Sequence, residues 1–136
     1  VQHNDLKGIK VLLAEDNDLN AELATMLLED LGMTVTRAAD GQEVVDLFAE
    51  YPAGTYDIIL MDIMMPKMDG HQAAKAIRAM YADRPDAEEI PIIALSANAF
   101  SEDVQASQDA GMNGHVSKPL NMEGVTKVIE RNLNRP

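Results

Sequence analysis

Short, continuously apolar runs alternate along the chain with longer stretches in which apolar residues recur every three or four positions. Residues 9–14, 58–61 and 90–95 are runs of the first kind, and each predicts a strand buried on both faces. Residues 33–36 alternate apolar and polar, which predicts a strand with one wet face, and residues 114–117 make a brief fifth strand. Between the first two strands, Leu19, Leu23, Met26, Leu27 and Leu31 fall at helical spacing, with Gly32 following as a C-cap. Asp40-Gly-Gln-Glu43 has the form of a capping box opening a helix that carries Val44, Val45, Leu47 and Phe48. Pro66 to Gly70 reads as a loop, and Ala73, Ala74 and Ile77 mark a third helix. Residues 81–89 are polar and contain Pro85, which predicts an exposed loop. A helix follows from Ser101, its cap, to Asp109, ended by Gly111. The last helix is capped by Asn121, with Val125, Val128, Ile129 and Leu133 on its apolar side.

This pattern is (βα)5, an α/β three-layer sandwich of the flavodoxin-like type. The two less apolar strands belong at the edges, which gives a parallel sheet of order 2-1-3-4-5. The expected domain spans residues 9–134 behind a polar linker, residues 1–8. A chain of 136 residues with 46% apolar content suits one core. No run approaches the roughly 20 apolar residues of a membrane span. The formal charge of −12 argues against nucleic acid and anionic membranes as partners. There is no cysteine, hence no disulfide or thiolate chemistry. That fits a cytoplasmic setting. The chain starts without Met, so excision from a longer protein is expected.

Composition says little about chemistry until the strand ends are compared. Glu15 and Asp16 follow the first strand, Asp62 the third and Ser96 the fourth, while Lys118-Pro119 follows the fifth. Ligands bind at the carboxyl ends of strands in open α/β sheets, so all five groups converge on one edge. Packed carboxylates repel one another and persist where a cation is shared or some stay protonated. Mg²⁺ prefers oxygen ligands, so Asp16 and Asp62 are candidate direct ligands and Glu15 a ligand through water. Asp62, on a central strand, is the best nucleophile for an aspartyl phosphate. Ser96 and Lys118 would bind the phosphoryl oxygens. Singly, Asp16 or Asn17 reads as a helix cap, Ser96 as a turn residue and Lys118 as a surface charge. Their convergence is what points to phosphoryl chemistry.

Leu13-Ala-Glu15-Asp16-Asn17, Leu60-Met-Asp62-Ile-Met-Met-Pro66, Asp69-Gly70, Ala94-Leu-Ser96-Ala97 and Ser117-Lys118-Pro119 together resemble a two-component receiver domain. The resemblance implies that Asp62 accepts phosphate from a phosphohistidine. It implies Mg²⁺ held by Glu15, Asp16, Asp62 and the backbone carbonyl of Met64. It makes Ser96 the switch hydroxyl and Lys118 the phosphate-contacting lysine. By the same analogy Met64 and Asn98 tune phosphate lifetime. His115 stands where such domains usually carry a switch tyrosine or phenylalanine. Output is expected through the face made by the helix from Ser101, the strand 114–117 and the last helix. Glu15-Asp16-Asn17 with Asn20, and Ser96-Ala-Asn98-Ala99, resemble receivers of hybrid sensor histidine kinases. The implied partner is a kinase dimerisation and phosphotransfer domain or a histidine phosphotransfer protein, and the implied parent is a protein histidine kinase. On its own the domain would have only self-phosphorylation and dephosphorylation chemistry.

A stand-alone single-domain response regulator is the nearest rival. A phosphohydrolase of the haloacid-dehalogenase type would usually want an acid where Met64 stands, and a cap domain for which this chain has no room. A flavin- or nucleotide-binding domain would want a phosphate loop where Glu15-Asp16-Asn17 would repel phosphate.

Overall fold

The structure is a computed structural model and describes residues 7–52, 54–82, 84–96, 101–117 and 120–133. Its strands are β1 (Lys10–Ala14), β2 (Thr34–Ala38), β3 (Ile58–Asp62), β4 (Ile92–Ser96) and β5 (Gly114–Ser117). Its helices are α1 (Asp18–Asp30), α2 (Gly41–Glu50), α3 (Gly70–Arg78), α4 (Asp86–Glu89), α5 (Ser101–Asp109) and α6 (Met122–Leu133). The strands form one parallel sheet in the expected order β2-β1-β3-β4-β5.

Side chains alternate across a strand, and here the alternation feeds two apolar layers. Leu12, Ile59, Met61 and Ile92 pack with Val44, Phe48 and Ile77 of α2 and α3. Val11, Leu13, Ile58, Leu60 and Ile93 pack with Leu28 of α1 and Val125 and Ile129 of α6. β1, β3 and β4 are covered on both faces, whereas edge strand β2 leaves Thr34 and Thr36 exposed. This is the division the apolar runs predict.

Helix ends follow local chemistry. Gly32 (φ 97°) and Gly111 (φ 98°) take the left-handed conformation that closes α1 and α5. In each case the glycine and its successor return two N–H bonds to the last turn, to Glu29 and Leu28 and to Gln108 and Ser107. Met33 therefore belongs to the helix stop, and β2 starts one residue later than expected. The Asp40 carboxylate accepts the Glu43 N–H at 2.8 Å, but Glu43 reaches Ala39 N–H rather than Asp40. The full reciprocal box is at Asp69 and Gln72, opening α3.

The segment 81–89 departs from the exposed loop expected for it. It contains α4 and the end of a 3-10 turn, Ala79–Ala82, and Ala87 is fully buried. Arg84 lies 4.1 Å over the Phe48 ring, donates to the Phe48 carbonyl and pairs with Asp86 at 3.0 Å. Arg78 joins this segment to the α5–β5 turn by donating to the carbonyls of Ala87 and Gly111 and to Asn113 Oδ1. Burial lowers the pKa of its guanidinium, and Glu88 opposes that shift.

Candidate functional site

Parallel register puts the ends of β1 and β3 side by side, with Ala14 opposite Met61. Glu15 and Asp62 thereby become neighbours, and both are buried, at 3% and 4% exposure. Asp16 is exposed at the rim, and one carboxylate oxygen from each of the three lies within 4.8 Å of the others. Asn17, not Asp16, caps α1: its Oδ1 accepts the Asn20 N–H at 2.9 Å. Asp16 is thus left to the cluster. The Glu15 carboxylate accepts the Asn17 N–H at 3.2 Å.

Two buried carboxylates this close carry an electrostatic cost. Unit charges about 4 Å apart repel by roughly 4 kcal/mol at an effective dielectric near 20. The donor set is entirely oxygen, compact and open at Asp16, which fits a hard divalent cation that keeps waters. The residues present therefore fit Mg²⁺.

The loop after β3 is fixed against its surroundings. Met64 N–H points to Asp62 Oδ1 at 3.3 Å, while the Met64 side chain is 79% exposed. Gly70 N–H donates to Ile63 O at 2.8 Å, and a Cβ on Gly70 would lie 2.5 Å from the Asp62 carbonyl oxygen. Lys67 adopts φ 68° and reaches Asp40 Oδ2 at 3.6 Å, tying the loop to the start of α2.

Ser96 ends β4, half-buried, one residue past the Leu95–Asp62 pair, and its own register partner is Ser117. His115 is half-buried in β5 opposite Ala94. Lys118, Pro119 and Asn98 lie outside the described residues. Sequence reasoning missed two features. One is Arg37, whose Nε and Nη2 donate to the Glu15 carbonyl at 3.0 and 2.8 Å. Its signal was a cation near the end of the strand beside the acids. The other is the exposure of Leu19, Leu23 and Met26 on α1, each more than half exposed (62%, 55% and 56%).

A parallel sheet of this order, with three carboxylates at the ends of two neighbouring strands, defines a class of signalling module. The response regulator receiver domain model matches residues 11–130, and the chain belongs to that family. It is a receiver domain of a two-component phosphorelay, homologous to the receivers of hybrid histidine kinases.

Among its relatives is the peroxide stress-activated histidine kinase mak1 of Schizosaccharomyces pombe. The two are 37% identical over 127 residues, which is 93% of this chain and 8% of that protein. Histidine kinase 1 of Arabidopsis thaliana is 36% identical, over 91% of this chain and 13% of that protein. The chain thus spans only a small part of the curated relatives it matches.

Among solved structures, the receiver domain of sensor histidine kinase PA1611 from Pseudomonas aeruginosa has a magnesium ion coordinated in its active-site cleft. It superposes with TM-score 0.82 at 35% identity, covering 94% of this chain and 99% of that one. The Saccharomyces cerevisiae Ssk1 receiver, solved with the histidine phosphotransfer protein Ypd1, gives TM-score 0.82 at 28% identity, over 94% and 90% of the two chains. Among the described residues no helix is long and apolar enough to cross a membrane.

Proposed function

We propose that Asp62 accepts a phosphoryl group from a phosphohistidine and holds it as an aspartyl phosphate. The observation that carries this is the three-carboxylate cluster with Asp62 buried within it on a central strand. A carboxylate oxygen of Asp62 attacks phosphorus. The new O–P bond forms as the P–N bond breaks, and that electron pair returns to the imidazole ring. Glu15, Asp16, Asp62 and the Met64 carbonyl would hold Mg²⁺, which neutralises charge on the transferring phosphoryl oxygens when bound. Ser96 donates a hydrogen bond to the transferred group, and Lys118 supplies a cation to it. Acetyl phosphate with Mg²⁺ is expected to add one phosphate, and EDTA to stop the addition. Equal rates with and without Mg²⁺ would contradict the reading.

The same reading names a donor and a docking face. Leu19, Leu23 and Met26 form an exposed apolar stripe on α1. Beside it a groove of about 210 Å³, lined by Leu23, Leu27, Leu95 and Leu120, reaches Glu15. An apolar face that leads into the acidic site suits a histidine-bearing partner, either a kinase phosphotransfer domain or a histidine phosphotransfer protein. Leu23→Glu is expected to slow transfer from such a donor at least tenfold while leaving acetyl phosphate labelling unchanged. Equal slowing with both donors would remove the stripe from docking. The parent on this reading is a hybrid histidine kinase, and the domain works on the cytoplasmic side.

Output is assigned to α5, β5 and α6, with Ser96 and His115 as the switching pair. Supporting this, the buried Ser107 of α5 lies 3.1 Å from His71 Nε2 near the start of α3, which ties α5 to the helix that follows the site loop. Phosphate lifetime is assigned to Met64 and Asn98. The exposed Met64 thioether cannot orient an attacking water, and the Asn98 amide is a poor base, so slow self-dephosphorylation is expected. Met64→Glu should shorten the lifetime severalfold, as timed by phosphate release. An unchanged decay would mean that Met64 plays no shielding part.

A further inference from the structure

The turn that carries Asp16 is gripped from β2 by Arg37. Two of its nitrogens share the Glu15 carbonyl oxygen, at 3.0 and 2.8 Å, and Nη1 lies 2.9 Å from Asp18 Oδ1. The guanidinium therefore spans residues 15–18, with Asp16 between its two points of contact. Glu15 is also held from the same strand through its own N–H, which donates to Ala38 O at 3.0 Å.

We propose that Arg37 is a positioning residue for the divalent-cation site. It fixes the Glu15 carbonyl so that Asp16 and the Glu15 carboxylate stay beside Asp62. The inference rests on the reading of the three carboxylates as a Mg²⁺ site. The Asp18 side chain is 93% exposed, so its ion pair contributes little. The forked grip on the Glu15 carbonyl is the part that acts.

Charge and position predict opposite signs here. A cation beside an acidic cluster competes with a metal, so by charge alone its removal would tighten Mg²⁺ binding. Removal of a positioning group loosens the site and weakens binding. Lysine separates the two effects further, because it keeps the charge and lacks the planar fork.

The experiment titrates Mg²⁺ alone into the isotope-labelled chain. Affinity is read from amide shifts at an ionic strength of about 0.15 M, where the screening length is about 8 Å. The thermal midpoint of the metal-free protein reports the fold. Arg37→Ala and Arg37→Lys are both expected to weaken Mg²⁺ about tenfold, within the range of roughly 10–100-fold for partners that orient metal ligands. Asp18→Asn should stay within about twofold. Wild-type or tighter binding by either Arg37 variant overturns the proposal. If Arg37→Ala fails to fold, Arg37→Lys decides alone. Asp16→Ala tests the underlying reading separately: if it leaves Mg²⁺ affinity unchanged, the metal site itself is wrong, whatever Arg37 does.

Discussion

Asp62→Asn is expected to abolish covalent phosphorylation by acetyl phosphate and by any histidine donor. Three acids compete for the role, and their surroundings separate them. Asp16 is exposed, so a phosphoryl group there would meet bulk water. The Glu15 carboxylate is turned to its own loop, where it accepts the Asn17 N–H. Asp62 ends a strand that is paired on both sides, by β1 and β4, and is 4% exposed. Asparagine keeps the shape of the side chain and an oxygen for the Met64 N–H, so the fold should survive the change. An amide is a far weaker nucleophile than a carboxylate, and the loss should exceed about a hundredfold. Intact-mass measurement reads the outcome directly. Undiminished labelling of the variant would move the phosphoacceptor elsewhere. Loss of labelling from Asp16→Ala alone, with Asp62→Asn still labelled, would move it to Asp16.

Much of this architecture was legible because the sheet is buried. Strands covered on both faces need continuous apolar runs, so residues 9–14, 58–61 and 92–95 announce themselves, and Glu15, Asp62 and Ser96 mark where they end. The bounds of α5 and β5 match expectation because Gly111 needs a left-handed backbone at one defined place.

What was hidden depended on tertiary contact. Periodicity places Leu19, Leu23 and Met26 on a helix but does not say which stripe faces inward. In α1 the buried stripe is made from Ala21, Ala24 and Leu28, with Leu27 and Leu31 partly buried beside it, while Leu19, Leu23 and Met26 face out. The segment 81–89 looks polar because five of its nine residues are charged, yet the Arg84 side chain is stacked on Phe48 and only 13% exposed. Arg37 was overlooked because its acceptor is a backbone oxygen, which carries no sequence signature.

Gly70→Ala is expected to be among the most damaging single-methyl additions in the chain, and to damage fold and function together. A Cβ at Gly70 would sit 2.5 Å from the Asp62 carbonyl oxygen and 2.9 Å from the Ile63 Cα. Both neighbours are backbone, so no side-chain rotation can relieve the contact. Either α3 must retreat from β3 or the site loop must move. Overpacking of this kind costs about 1–3 kcal/mol, and occasionally more. With no flexible atom to yield, the upper end is expected. For a domain of this size that is a fall in thermal midpoint on the order of 10 °C. Gly41→Ala tests the same loop from the other side, since its Cβ would overlap the Met68 carbonyl. The functional consequence separates the two sites. Gly70 touches the backbone of Asp62, the proposed phosphoacceptor, so its variant should lose phosphorylation rate even at a temperature where it is fully folded. Gly41 touches Met68, six residues beyond Asp62, and a smaller rate loss is expected at comparable destabilisation. Equal stability of Gly70→Ala and wild type would show that the β3–α3 packing is looser than these contacts require. A folded Gly70→Ala with an undiminished phosphorylation rate would show that the placement of Asp62 does not depend on the glycine behind it.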